Sequence, residues 1–280
     1  MKNNENFNVN NFALMQGRLV DSEKKNEIQF FPKKNWKKEL EFFKKNNIKY
    51  IEWVASYENL ETNPIYKKNK ILSIKRECKK NKVKIRSIDV QFFVKKPIYK
   101  GKIFEKKKSL KNIKKIFINS QLLGIKYFII PALENASLNT NNKKKNLVDL
   151  IKNLLPFIKT DNFILIESDL SPRKMNLLLN EINSKNVGIN YDTGNSAGKG
   201  YHFKEEKKYF KFVKNIHLKD KKFNGKTVQL GKGDFDFNNF FKYLKNINYK
   251  GDFAFQTARS KEKNHINEYR LNLDYIKNYV

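Results

Sequence analysis

Hydrophobic positions recur along this chain in two alternating rhythms. Short apolar runs give way to longer stretches in which apolar side chains return every third or fourth position among lysines. The short runs cover residues 12–17, 48–54, 83–90 and 126–131. Four more end at Glu167, Asp192, His217 and Gln256. Each is short and largely apolar, and Gly17 and Pro131 close the first and fourth, which predicts buried strands. The longer stretches predict amphipathic helices. Trp36, Leu40, Phe42 and Phe43 mark residues 35–46, and a second helix covers 71–80. Leu110, Ile113, Ile116, Phe117 and Leu123 mark 109–123, and Leu147, Leu150, Ile151 and Leu154 precede the stop at Pro156. Pro172 opens a helix through Met175, Leu178 and Ile182, and residues 205–212 form a short one. Asp236 caps a helix carrying Phe237, Phe240, Phe241 and Leu244, and Ile266 to Ile276 forms the last.

That makes eight strand–helix units without a linker or a break in composition. Such alternation implies a parallel sheet. The chain's 280 residues compare with about 250 for a closed eight-unit barrel. The expected fold is α/β, a single (β/α)8 TIM barrel over residues 1–280, with residues 1–10 a polar tail. Active sites of such barrels lie at the C-terminal ends of the strands. Glu167, Asp192, His217 and Gln256 stand at the ends of strands five to eight. Two carboxylates, an imidazole and an amide oxygen suit a divalent cation. The segment Thr193-Gly194-Asn195-Ser196-Ala197 after strand six reads as a loop. Gly231-Lys232-Gly233 reads as a tight turn, with a phosphate cradle as its sharper alternative.

The formal charge is +31, yet only six of the 59 basic residues are arginine, and the lysines are spread evenly. Nucleic-acid surfaces cluster charge and favour arginine forks. The lysine excess therefore reads as solvated helix exteriors, and no specific nucleic-acid partner is expected. The one cysteine, Cys78, excludes an internal disulfide and fits helix packing. No signal-like apolar stretch or membrane-length run is present, so a cytoplasmic protein without a membrane partner is expected.

In their order, the strand ends resemble the xylose-isomerase-like barrel superfamily of sugar phosphate isomerases and epimerases. The carriers are Met15-Gln16-Gly17-Arg18-Leu19, Ile51-Glu52-Trp53, Glu167-Ser168-Asp169-Leu170, Tyr191-Asp192-Thr193-Gly194-Asn195-Ser196-Ala197, Ile216-His217-Leu218-Lys219-Asp220, Leu230-Gly231-Lys232-Gly233-Asp234 and Gln256-Thr257-Ala258-Arg259. The resemblance implies one divalent metal (Mn, Mg, Co or Zn) held by Glu, Asp, His and Glu of strands five to eight. Glu167, Asp192 and His217 match; Gln256 departs, and Asn195 stands where related epimerases often have His. It further implies a sugar or sugar phosphate substrate, and leaves open a homo-oligomer. Isomerisation removes a proton beside a carbonyl through an enediolate, with a carboxylate moving the proton. Glu167 is the expected base; Glu52 is either a second base or an ion-pair partner. Trp53, Asn195, Lys219 and Arg259 are candidate substrate contacts, with Lys219–Asp220 as an alternative supporting pair behind His217. The rival functions are a metal-dependent dehydratase of the inosose or dehydroshikimate type, an apurinic endonuclease and a non-catalytic sugar-binding barrel. With only His202, His217 and His265, the chain is short of imidazoles for a three-metal nuclease.

Overall fold

The computed structural model describes residues 7–23, 27–58 and 60–280. Eight strands close a barrel: β1 (Ala13–Met15), β2 (Tyr50–Val54), β3 (Lys84–Asp89), β4 (Tyr127–Ala132), β5 (Phe163–Ser168), β6 (Val187–Asp192), β7 (Val213–Leu218) and β8 (Asp252–Phe255). Every neighbouring pair is parallel, and β1 pairs with both β2 and β8. The fold is a single (β/α)8 TIM barrel.

Two cores follow from strand alternation. Inside the barrel, Tyr127, Ile129 and Leu165 pack with Phe163 and fill the floor. The Tyr127 hydroxyl donates to Asp252 Oδ2 at 2.7 Å, and Arg86 Nη1 lies 2.9 Å from Asp252 Oδ1. Outside, the opposite strand faces pack on the helices: Phe128 meets Phe117 edge-on at 4.9 Å, and Tyr191 stacks on Phe240 at 5.5 Å. Each such buried aromatic contributes about 1.5–3 kcal/mol of transfer free energy. Cys78 is buried in this outer layer. Within the segment read as a polar tail, Phe7 and Val9 are buried, and the Phe7 ring lies 5.3 Å from that of Phe253. Residues 1–6 of that segment lie outside the described residues. Among the described residues no helix is long and apolar enough to cross a membrane.

Two local expectations change. The helix expected over 109–123 runs Ile103–Leu123. Its first turn exposes Ile103 and Phe104, which hides the periodic pattern, while Glu105 Oε2 accepts the Lys102 amide at 2.8 Å and stabilises the start. The Gly/Ser/Asn-rich segment after β6 is a helix, Thr193–Lys199. Its composition is poor for a helix, but Asp192 caps it by accepting the Asn195 amide at 2.7 Å. Gly194 serves close packing: a Cβ there would lie 2.7 Å from Lys219 Cγ.

Candidate metal centre

Strand alternation turns Glu167, Asn190, Asp192, Asn215 and His217 toward the barrel axis, and parallel register sets Asp192 beside His217. One ligand atom each from Glu167, Asp192 and His217 lies within 4.8 Å of the others, and all three residues are buried. Asn190 Nδ2 donates to Glu167 Oε2 at 2.8 Å and lies 2.9 Å from His217 Nδ1. Asn215 Nδ2 in turn donates to Asn190 Oδ1 at 2.7 Å. Asn195, on the helix capped by Asp192, donates from Nδ2 to Glu167 Oε1 at 2.9 Å. Both Glu167 oxygens are thereby aimed.

His217 is held from behind. Its Nε2 lies 2.8 Å from Glu52 Oε1. The other Glu52 oxygen accepts from Ser87 Oγ at 2.7 Å. Glu52 and His217 are both fully buried. On the β8 side, Lys219 Nζ donates to Gln256 Oε1 at 2.9 Å and lies 3.4 Å from Asp192 Oδ2. A buried ammonium thus bridges a carboxylate and the neutral amide of Gln256.

Burial alone would lower the His217 pKa, but Glu52 and Glu167 outweigh it and raise it well above the usual imidazole range. Burial would raise Glu167; contacts with His217, Lys219 and Asn190 outweigh it and hold the carboxyl below its ordinary value. Asp192 is pushed up, chiefly by burial. Two carboxylates and one imidazole nitrogen converge, a donor set that suits Mn, Mg or Zn. The residues present fit a divalent ion.

The structure brings Glu167, Asp192, His217, Gln256, Glu52, Asn195 and Lys219 together. It does not bring two other predicted residues to them. Trp53 points into the outer layer, with its ring 5.7 Å from that of Trp36 and its Nε1 donating to Asn63 Oδ1 at 3.0 Å. It follows inward-facing Glu52 by one residue and so faces the opposite way. Arg259 donates to the carbonyls of Gly17 and Val20 and lies over the Phe30 ring, tying the β8 loop to the β1 loop. Arg18 ties the same loops through Thr257 O at 2.9 Å.

The sequence model of the xylose isomerase-like TIM barrel family matches residues 35–279. The chain belongs to that family. Solved structures of similar fold include the IOLI protein with a bound zinc atom (TM-score 0.72, 16% identity, 96% of this chain and 99% of that chain). A xylose isomerase-like barrel from Mycobacterium smegmatis in complex with magnesium aligns with TM-score 0.71, 13% identity, 96% and 95% coverage. The D-psicose 3-epimerase of Clostridium cellulolyticum H10 with D-tagatose aligns with TM-score 0.70, 10% identity, 96% and 99% coverage. No curated protein matches the chain by sequence.

In this xylose isomerase-like barrel the glycine turn after β7 is occupied by the chain itself. Asp220 Oδ2 accepts from Gly231 N at 3.0 Å and Gly233 N at 2.9 Å. Asp220 is engaged with this turn, whereas Lys219 contacts Asp192 and Gln256, so the alternative Lys219–Asp220 pair is not the arrangement found. A cavity of about 30 Å³ beside Glu167, Asp192 and Asn195 has room for a water molecule. A larger cleft of about 630 Å³, lined by Phe203, Phe223 and Tyr243, touches none of the candidate site residues. Sequence reading missed Asn190 and Asp89. The signal was available: Asn190 precedes Asp192 by two, and Asp89 follows Ser87 by two, each on the inward face.

Proposed function

We propose that this barrel is a divalent-metal-dependent sugar isomerase that removes a proton from the carbon beside a carbonyl. The observation that carries the reading is the buried convergence of Glu167, Asp192 and His217 at the C-terminal ends of three successive strands. These three residues would hold the ion, with Gln256 Oε1 as a further oxygen donor. Bound there, a divalent cation supplies positive charge that stabilises the charge developing on the substrate oxygens.

Glu167 is the proton acceptor. Its carboxyl is held below the usual range and so is ionised at neutral pH. Asn190 and Asn195 fix its two oxygens, which places the base before the substrate arrives. Glu52 orients the His217 ring rather than moving a proton, because its oxygens face His217 and Ser87. Lys219 presents a buried positive charge beside Asp192. Gln256 cannot accept a proton. Glu167 therefore returns the proton it takes, which favours aldose–ketose isomerisation on one face over epimerisation between two carboxylates. Because Asp220 occupies the amides of Gly231 and Gly233, that turn supports an unphosphorylated sugar over a sugar phosphate.

The test is interconversion of an aldose–ketose panel by chelator-stripped protein reloaded with Mn, Mg, Co or Zn. Turnover that appears with metal and vanishes with chelator is expected. Loss of a hydroxyl as water instead of isomerisation would replace the reading with a dehydratase.

A further inference from the structure

Asp89 ends β3 and is fully buried. The chemistry above leaves it unused. Its Oδ2 accepts from Gln91 Nε2 at 2.7 Å, whereas Oδ1 has no protein hydrogen-bond partner. Ser87, two residues earlier on the same inward face, is satisfied by Glu52. Strand order places β3 across the barrel from β7, so Asp89 stands opposite His217 at the mouth. A buried polar atom left without a bond costs the fold stability, and a site that keeps one invites a ligand that completes it.

We infer that Asp89 Oδ1 binds a hydroxyl group of the sugar, on the side of the mouth facing the metal ligands. The inference rests on the sugar-isomerase reading and assigns a contact that fixes which end of the substrate lies at the base. Burial, reinforced by Glu167 and Glu52, pushes the Asp89 carboxyl well above the usual carboxylate range. A carboxyl oxygen accepts from a sugar hydroxyl in either protonation state. The same neighbours argue against a second cation held by Asp89: the Glu52 oxygens are committed to His217 and Ser87.

The experiment titrates D-fructose, D-tagatose and D-allulose into the Mn-loaded full chain by calorimetry, for the parent, Asp89→Asn and Asp89→Leu. The parent is expected to bind at least one ketose, and Asp89→Asn, which keeps a donor and an acceptor, to bind it within about threefold. Asp89→Leu is expected to bind it roughly tenfold more weakly or worse, the size of one hydrogen bond. Manganese affinity should be unchanged, and the Asp89→Leu melting temperature should not fall below the parent's. Unchanged ketose affinity in Asp89→Leu overturns this inference alone. Absence of binding by the parent overturns it together with the isomerase reading. A crystal of the parent soaked with the bound ketose gives a readout independent of any variant. A hydroxyl within hydrogen-bond distance of Oδ1 is expected, and a ketose with no oxygen there overturns the inference.

Discussion

Glu52 Oε1 lies 2.8 Å from His217 Nε2, with both side chains fully buried. A carboxylate behind a ligating imidazole fixes the ring and makes the opposite nitrogen a better donor. Here that opposite nitrogen, Nδ1, is the one beside Glu167. Glu52→Gln keeps the shape and removes the charge. It should weaken manganese binding by about ten- to a hundredfold while leaving the circular dichroism spectrum unchanged. Calorimetric titration checks this, and unchanged affinity would show that Glu52 serves only the fold.

Gln256 offers a neutral oxygen already shared with Lys219. Gln256→Glu adds a carboxylate beside the ligand cluster. Manganese affinity should rise by roughly tenfold or more, as expected for an added charged oxygen ligand. A competition titration with a coloured chelator measures it.

Gly194 tests the packing that positions Lys219. A Cβ at this position would lie 2.7 Å from Lys219 Cγ. Gly194→Ala should push the Lys219 chain away from Asp192 and cost about 1–3 kcal/mol of stability, as overpacking does. Urea unfolding gives the stability, and the same variant should show reduced turnover.

Glu39 links the first loop to pH. Its carboxylate accepts the amides of Gly17 and Leu19 at 2.8 and 3.1 Å, fully buried, and burial raises its pKa from 4.5 to about 7. The folded chain therefore holds this proton more tightly than the unfolded one. The stability this group contributes is fully present below the unfolded value and is lost as pH rises through about 7. Between about pH 4.5 and 7, the parent should lose up to about 3 kcal/mol relative to Glu39→Gln. Urea melts of both proteins across that range measure the difference, and parallel pH profiles would contradict it.

The barrel was legible because its strands are short apolar runs and its helices carry one apolar face, two periods that do not mimic each other. The family resemblance rested on strand ends, and those are the positions that converge. What escaped were features decided by packing in three dimensions. The helix at Thr193–Lys199 is built from poor helix formers and exists because Asp192 caps it and Lys219 covers Gly194. Trp53 and Arg259 stand beside site positions in sequence, yet one faces the outer layer and the other spans two loops. Gly231-Lys232-Gly233 reads from sequence as a tight turn, and its amides are taken up by Asp220, a partner that only the folded chain brings to it. Asn190 and Asp89 share the inward faces of β6 and β3 with Asp192 and Ser87, a period-two signal that becomes decisive only once the barrel fixes which face is inward.

Glu167, as the proposed base of a metal-dependent proton transfer, should govern exchange at the substrate carbon. Solvent deuterium incorporation at the carbon beside the carbonyl, followed by NMR on a ketose that the protein turns over, reports this transfer. The Mn-loaded parent should incorporate deuterium. Glu167→Gln should do so about a hundred- to ten-thousand-fold more slowly, the usual contribution of a general base. Exchange by Glu167→Gln at the parent rate would place the base on another residue.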